Sequence, residues 1–143
     1  MKKQFYIGNV PIGDGSVSIQ SMTNVPFTRF DELKTQALAL EKEGCQIIRA
    51  SVPDRLSAER FADLKKAISV PLVADIHFDY RLALASIEAG ADKIRINPGN
   101  IGAPERVKAV ADACRQRGVP IRIGVNSGSL EKEILAKYGA PTP

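Results

Sequence analysis

The chain has 143 residues, enough for one sizeable hydrophobic core and too few for two. With 44% hydrophobic and 25% charged residues it has the make-up of a globular domain; no apolar run approaches the ~18 residues of a membrane span, and the two lysines near the start precede no apolar export segment. The net charge of +4 permits an anionic partner, while the lack of tryptophan and of any basic run interleaved with aromatics sets nucleic acid aside, leaving a cytoplasmic protein with no membrane partner as the expectation.

In chain order, QFYIGNVPIGDG (4–15) reads as a small hairpin, placed to plug the bottom of a barrel. VSIQSMT (17–23) is the first β-rich run, followed by a helical stripe of Phe30, Leu33, Ala37 and Leu40 that stops at Gly44. QIIRASV (46–52) leads to a stripe of Phe61, Leu64 and Ile68, and PLVADIH (71–77) to one marked by Leu84 and Ile87, ending at Gly90. KIRINP (93–98) runs into the glycine-rich turn Asn97–Gly102, then a helix from Pro104 with apolar positions from Val107 to Cys114 and a stop at Gly118. IRIGVN (121–126) precedes Ser129, which suits an N-cap, and a last stripe of Leu130, Ile134 and Tyr138 before Gly139.

Strand then helix, five times over, with strands too apolar to face water, makes a parallel α/β fold. No G-x-G-x-x-G follows the first strand, which argues against a dinucleotide-binding sheet. The expected fold is therefore a parallel (β/α) TIM-barrel type, incomplete at about five of eight βα units, with an N-terminal hairpin. Cys45 and Cys114 are too far apart for a local metal or redox motif and read as core filler.

Side chains alternate across a strand, so parity sorts the polar residues. Arg49 and Ser51 oppose Ile48, Ala50 and Val52; Val73, Asp75 and His77 oppose Ala74 and Ile76. Arg95 and Asn97 oppose Ile94 and Ile96; Arg122, Gly124 and Asn126 oppose Ile121, Ile123 and Val125. The apolar parity must pack under helices, so the polar parity points into the barrel, towards the carboxyl ends where active sites of such folds lie. Arg49 and Arg95 stand five residues past their helix-stopping glycines and Arg122 four past its own, so strands deliver guanidinium groups to similar heights. A diphosphate would answer three converging guanidinium groups; the alternative is that they pair with Asp75 and other carboxylates to brace the barrel. The turn at Asn97–Gly102 offers backbone N–H groups to a phosphate or is a plain βα turn, and Asp75 with His77 could hydrogen-bond a substrate or relay a proton.

Read together, IQSMTN (19–24), ADIHFD (74–79), KIRINPGNIG (93–102) and RIGVNSGSLEKEIL (122–135) resemble the 4-hydroxy-3-methylbut-2-enyl diphosphate synthase family of the non-mevalonate isoprenoid route, over essentially the whole chain. The resemblance implies that residues 1–143 are the N-terminal part of a TIM-barrel substrate-binding domain of an oxidoreductase. That enzyme opens 2-C-methyl-D-erythritol 2,4-cyclodiphosphate reductively, with a hydroxyl leaving as water. It implies a [4Fe–4S] cluster on three cysteines and a glutamate in a C-terminal iron–sulfur domain, absent from this chain, and ferredoxin or flavodoxin as electron donor. It further implies a homodimer in which one subunit's cluster domain closes over the other's barrel.

By motif, Arg49, Arg95 and Arg122 are expected to grip the diphosphate with His77 as a further donor, and Asp75, Asn97 and Asn126 to line the pocket around the methylerythritol part. Ser21, Met22 and Thr23 are expected near the pocket mouth. Neither cysteine matches a cluster ligand, so no catalytic, cofactor or metal residue is expected here, and the chain, read as a fragment, is expected to be inactive alone and prone to self-association along its open strand edges. The alternatives are a pterin-binding-like TIM-barrel enzyme and a non-catalytic anion-binding or assembly module.

Overall fold

A computed structural model describes residues 4–130 and 132–140. Strands β1 (Phe5–Ile7) and β2 (Val10–Ile12) form the antiparallel hairpin read from the sequence. Then β3 (Gln20–Met22), α1 (Phe30–Lys42), β4 (Ile47–Ser51), α2 (Arg55–Ala67), β5 (Leu72–Asp75) and α3 (Tyr80–Glu88) alternate. The chain continues through β6 (Lys93–Ile96), the single turn α4 (Pro98–Ile101), α5 (Pro104–Arg117), β7 (Ile121–Ile123) and α6 (Lys132–Tyr138).

The five longer-range strands pair in parallel in the order β3-β4-β5-β6-β7. Each strand lies beside its predecessor in sequence, with no reversal of direction along the sheet. A doubly wound sheet reverses at a switch point; a barrel wall does not. Strand order thus decides for the barrel type, and the described residues build five of its strands.

The two faces of this sheet are chemically different. On the outer face Ile48, Ala50, Leu72, Ala74, Ile94 and Ile96 merge with the inward sides of α1, α2, α3 and α5 into the main core. Phe61 and Leu64 of α2 are fully buried there, each contributing roughly 1.5–3 kcal/mol by leaving water. On the inner face Ile47 and Val73 are covered by Ile7 and Val10, so the hairpin does plug the lower end. The four glycines predicted to stop helices, Gly44, Gly90, Gly118 and Gly139, all hold positive φ, between 67° and 95°.

Four local expectations differ. The buried positions of α3 are Ala83, Ser86 and Ile87, and Leu84 is only half-buried, because the face turned to the core is centred one residue before Leu84. The turn after Asn97 winds into α4 instead of staying open. Ser129 closes a 3-10 turn, Ser127–Ser129, and is not the N-cap of α6. The stripe on α6 is real but uncovered, with Ile134, Leu135 and Tyr138 exposed.

Candidate anion-binding site

In a parallel sheet, register partners point to the same side. Arg49 pairs with Val73, Ser51 with Asp75, Asp75 with Arg95, and Arg95 with Arg122. The parity reading therefore holds across β4 to β7, and all three arginines project from the inner face.

Asp75 is the hub. Its side chain is 1% exposed; Oδ2 forms an ion pair with Arg49 Nη2 at 3.0 Å, and Oδ1 accepts from Arg95 Nη1 at 3.3 Å. The two guanidinium groups are not sealed in, with side chains 24% and 14% exposed for Arg49 and Arg95. Asp75 thus braces two of the three arginines, as the structural alternative expected. Arg122 is exposed and has no acidic partner among the described residues.

The position of Arg95 depends on a missing methyl group. A Cβ at Gly124 would lie 2.7 Å from Arg95 Nε and 2.8 Å from Nη2, inside van der Waals contact. Gly124 also donates its N–H to Ile96 O at 2.9 Å, which extends the β6–β7 pairing past β7. The guanidinium can lie against Gly124, just past β7, because that residue has no side chain.

Parity also reveals a cation that the arginine-centred reading passed over. Lys93 shares the side of Arg95 and pairs in register with Val73, yet it is 9% exposed. Burial, then Arg122, then Arg49, pull its proton affinity below the ordinary lysine value. The signal was two residues back along KIRIN, on the same parity as Arg95.

The remaining predicted residues are placed as follows. His77 stands beyond β5, half-buried, with Nδ1 buried and without a partner. Arg49 Nε is buried and unpartnered in the same way. Asn97 is 1% exposed and folds back on the backbone: Oδ1 accepts from Gly99 N at 3.2 Å and Nδ2 donates to Ser129 Oγ at 2.7 Å. It caps α4 instead of reaching the arginines, and Gly99, packed against the Ser129 carbonyl, has no free N–H for a phosphate. Asn126 is exposed, its backbone N–H donating to Ser129 Oγ at 3.1 Å.

Ser129, whose bonding no motif announced, therefore ties the chain leaving β6 to the chain leaving β7. On the other side of the sheet Thr23 does the same for β3 and β4, donating its N–H to Arg49 O at 2.9 Å, and Met22 sits in register with Arg49. The carboxyl ends of the strands are cross-tied around the cation cluster.

A family profile described as "GcpE TIM-barrel domain" matches residues 2–143. The chain belongs to this family. It is 56% identical over 142 residues to a 4-hydroxy-3-methylbut-2-en-1-yl diphosphate synthase (flavodoxin) of Enterobacter sp. strain 638, covering 99% of this chain and 38% of that protein. The protein of the same name from Anoxybacillus flavithermus is 59% identical over 137 residues, covering 95% of this chain and 38% of the relative. The chain thus spans about 38% of the length of these curated GcpE relatives. Among solved structures, the Yersinia pestis dihydropteroate synthase superposes with a TM-score of 0.67 at 12% identity, covering 97% of this chain and 54% of that one. A Xanthomonas albilineans dihydropteroate synthase gives 0.64 at 15% identity, covering 96% and 55%. At such identity the likeness concerns the barrel alone.

The residues present do not fit an iron–sulfur cluster. Cys45 Sγ donates to Ile47 O at 3.0 Å, and the buried Cys114 thiol is pushed up to about 11, the reverse of what a thiolate ligand needs. Among the described residues no group of three His, Cys, Asp or Glu side chains is arranged to hold a metal.

Proposed function

We propose that the inner face of this sheet binds the diphosphate of 2-C-methyl-D-erythritol 2,4-cyclodiphosphate, as part of the reductive synthase that makes 4-hydroxy-3-methylbut-2-en-1-yl diphosphate. One observation carries the reading: among the described residues Arg49, Lys93, Arg95 and Arg122 share one face with a single carboxylate, Asp75. A diphosphate supplies the negative charge that Asp75 cannot, and guanidinium forks match its oxygens. Arg95 and Arg122, adjacent in register, are the natural clamp, with Arg49 Nε and His77 Nδ1 as further contacts.

In this scheme Asp75 holds Arg49 and Arg95 in place before the ligand arrives, lowering the ordering cost of binding. Asn97 acts through Ser129, fixing the loops that rim the site, and Asn126 stands at that rim beside the methylerythritol part. In the whole synthase, a [4Fe–4S] cluster would be held by residues other than those described here and would supply the reducing chemistry, with flavodoxin as donor, in a cytoplasmic homodimer. The relatives' name, which specifies flavodoxin and a diphosphate product, supports the donor and the class of ligand.

Titration calorimetry with the cyclodiphosphate tests the grip. Arg95→Ala should weaken binding by about 2–5 kcal/mol, as truncating a half-buried charge partner does. Equal affinity in wild type and variant would make Arg95 a brace and nothing more.

A further inference from the structure

Lys93 is the inner-face cation to which the diphosphate grip assigns no contact. It opens β6 one residue row below Asp75, Arg95 and Arg122. Its surroundings can be followed element by element. From β7 it faces Arg122, and from β4 it faces Arg49. From β5 it meets Val73, with Asp75 a row above and both carboxylate oxygens engaged by Arg49 and Arg95. From β3 comes the neutral Gln20, and from the hairpin the apolar Phe5, Ile7 and Ile12. Gln20 and the hairpin residues line, with Lys93 and Arg122, an open cavity of about 440 Å³, and these two are its only charged lining residues among those described. No carboxylate pairs with the Lys93 ammonium among the described residues.

A buried ammonium next to two guanidinium groups is disfavoured, and of the three only lysine can relieve the conflict by giving up its proton. Resting on the diphosphate reading above, we propose that Lys93 takes up a proton when a polyanion settles on the inner face, so that this one side chain couples binding to pH. The direction in which Lys93 is already displaced, below an ordinary lysine, is the one this coupling needs. An anion against Arg95 and Arg122 reverses the local potential and restores the ammonium. Because the protonated form binds more tightly, affinity is highest below the value Lys93 has in the empty site. It falls as pH rises through that value and levels off above the value in the complex.

Calorimetric titration of the full chain with inorganic pyrophosphate, repeated in two buffers of different ionisation enthalpy, counts the protons taken up. The wild type takes up more than Lys93→Met, the pyrophosphate's own titration cancelling in the difference, and the variant binds about tenfold more weakly on the acid side of the transition. Lys93→Arg, a cation that does not titrate, keeps the affinity and loses the extra proton. Circular dichroism reports whether each variant folds; should Lys93→Met not fold, the proton count of Lys93→Arg decides. Proton counts equal to wild type overturn the proposal, and if Arg95→Ala still loses binding, the diphosphate reading stands without it. A wild type that binds no pyrophosphate overturns both.

Discussion

Asp75→Asn separates a brace from a binding site, because the two roles move in opposite directions. The carboxylate is 1% exposed and attracts Arg49 at 3.0 Å and Arg95 at 3.3 Å. At an effective dielectric of ~20 each attraction is about 5 kcal/mol before desolvation is charged against it. Removing one member of a buried pair costs about 3–5 kcal/mol in practice. Both guanidinium groups retain some contact with water, and asparagine still accepts one hydrogen bond, so the low end, about 3 kcal/mol, is expected. Urea unfolding followed by circular dichroism at neutral pH and low salt measures this. The same substitution leaves four cations and no acid on the inner face among the described residues, a gain in positive potential that outweighs the lost preorganisation of Arg49 and Arg95, so pyrophosphate should bind more tightly. A tenfold gain adds about 1.4 kcal/mol of ligand-dependent stabilisation at saturation, read as a larger rise in midpoint than the wild type shows. A stability loss under ~1 kcal/mol would refute the buried triad. An unchanged response to pyrophosphate would refute the convergence of the guanidinium groups on a common ligand.

Gly124→Ala should loosen pyrophosphate about tenfold while leaving the melting temperature within a few degrees, since its methyl group displaces the mobile end of Arg95 and not backbone; an unchanged Kd would show that Arg95 needs no such opening. Asp54 caps α2, accepting from Ser57 N at 2.8 Å and Ser57 Oγ at 2.7 Å, so Asp54→Ala should cost about 1 kcal/mol at neutral pH. Hydrogen bonds from the Ser57 side chain and then its backbone hold that carboxyl below its usual 3.8, so the contribution is complete above 3.8 and is lost as pH falls through the lower folded value. The gap between wild type and variant should therefore close in acid urea titrations, and a constant gap would refute the cap.

The fold was legible wherever a strand alternates and a helix repeats. Parity placed Arg49, Asp75, Arg95 and Arg122 on one face because a one-residue slip would have put isoleucines into the barrel and arginines under helices. Parity stopped being informative where the strand stopped. Asn97 continues the alternation in sequence, but α4 begins at the next residue, so its side chain turns back to cap Gly99. The stripe on α6 shows a different limit: periodicity reveals that a helix has an apolar side without revealing what covers it, and Ile134 and Tyr138 remain exposed. Lys93 was legible and passed over because a lysine in a strand is read first as a solvated end; only its register beside Val73 makes it buried.

The cations left without an acid elsewhere, such as Lys34, Lys66 and Arg117, are solvent-exposed, whereas Lys93 on the inner face is buried. Other cations outside the inner face have acids at close range: Lys65 with Asp92 at 2.5 Å, Arg81 with Asp79 at 2.7 Å, Arg55 with Glu59 at 2.9 Å and Lys108 with Asp112 at 2.5 Å. Several of these sit where water would have screened an unpaired charge and the pair contributes little. On the inner face one aspartate serves two arginines, and among the described residues neither the exposed Arg122 nor the buried Lys93, whose unpaired charge costs most, pairs with an acid. A surface built for stability would reverse that allocation. Leaving cations unmatched where they are hardest to keep makes physical sense when a multivalent anion completes the site, and the stability forgone in its absence becomes part of its affinity when it binds.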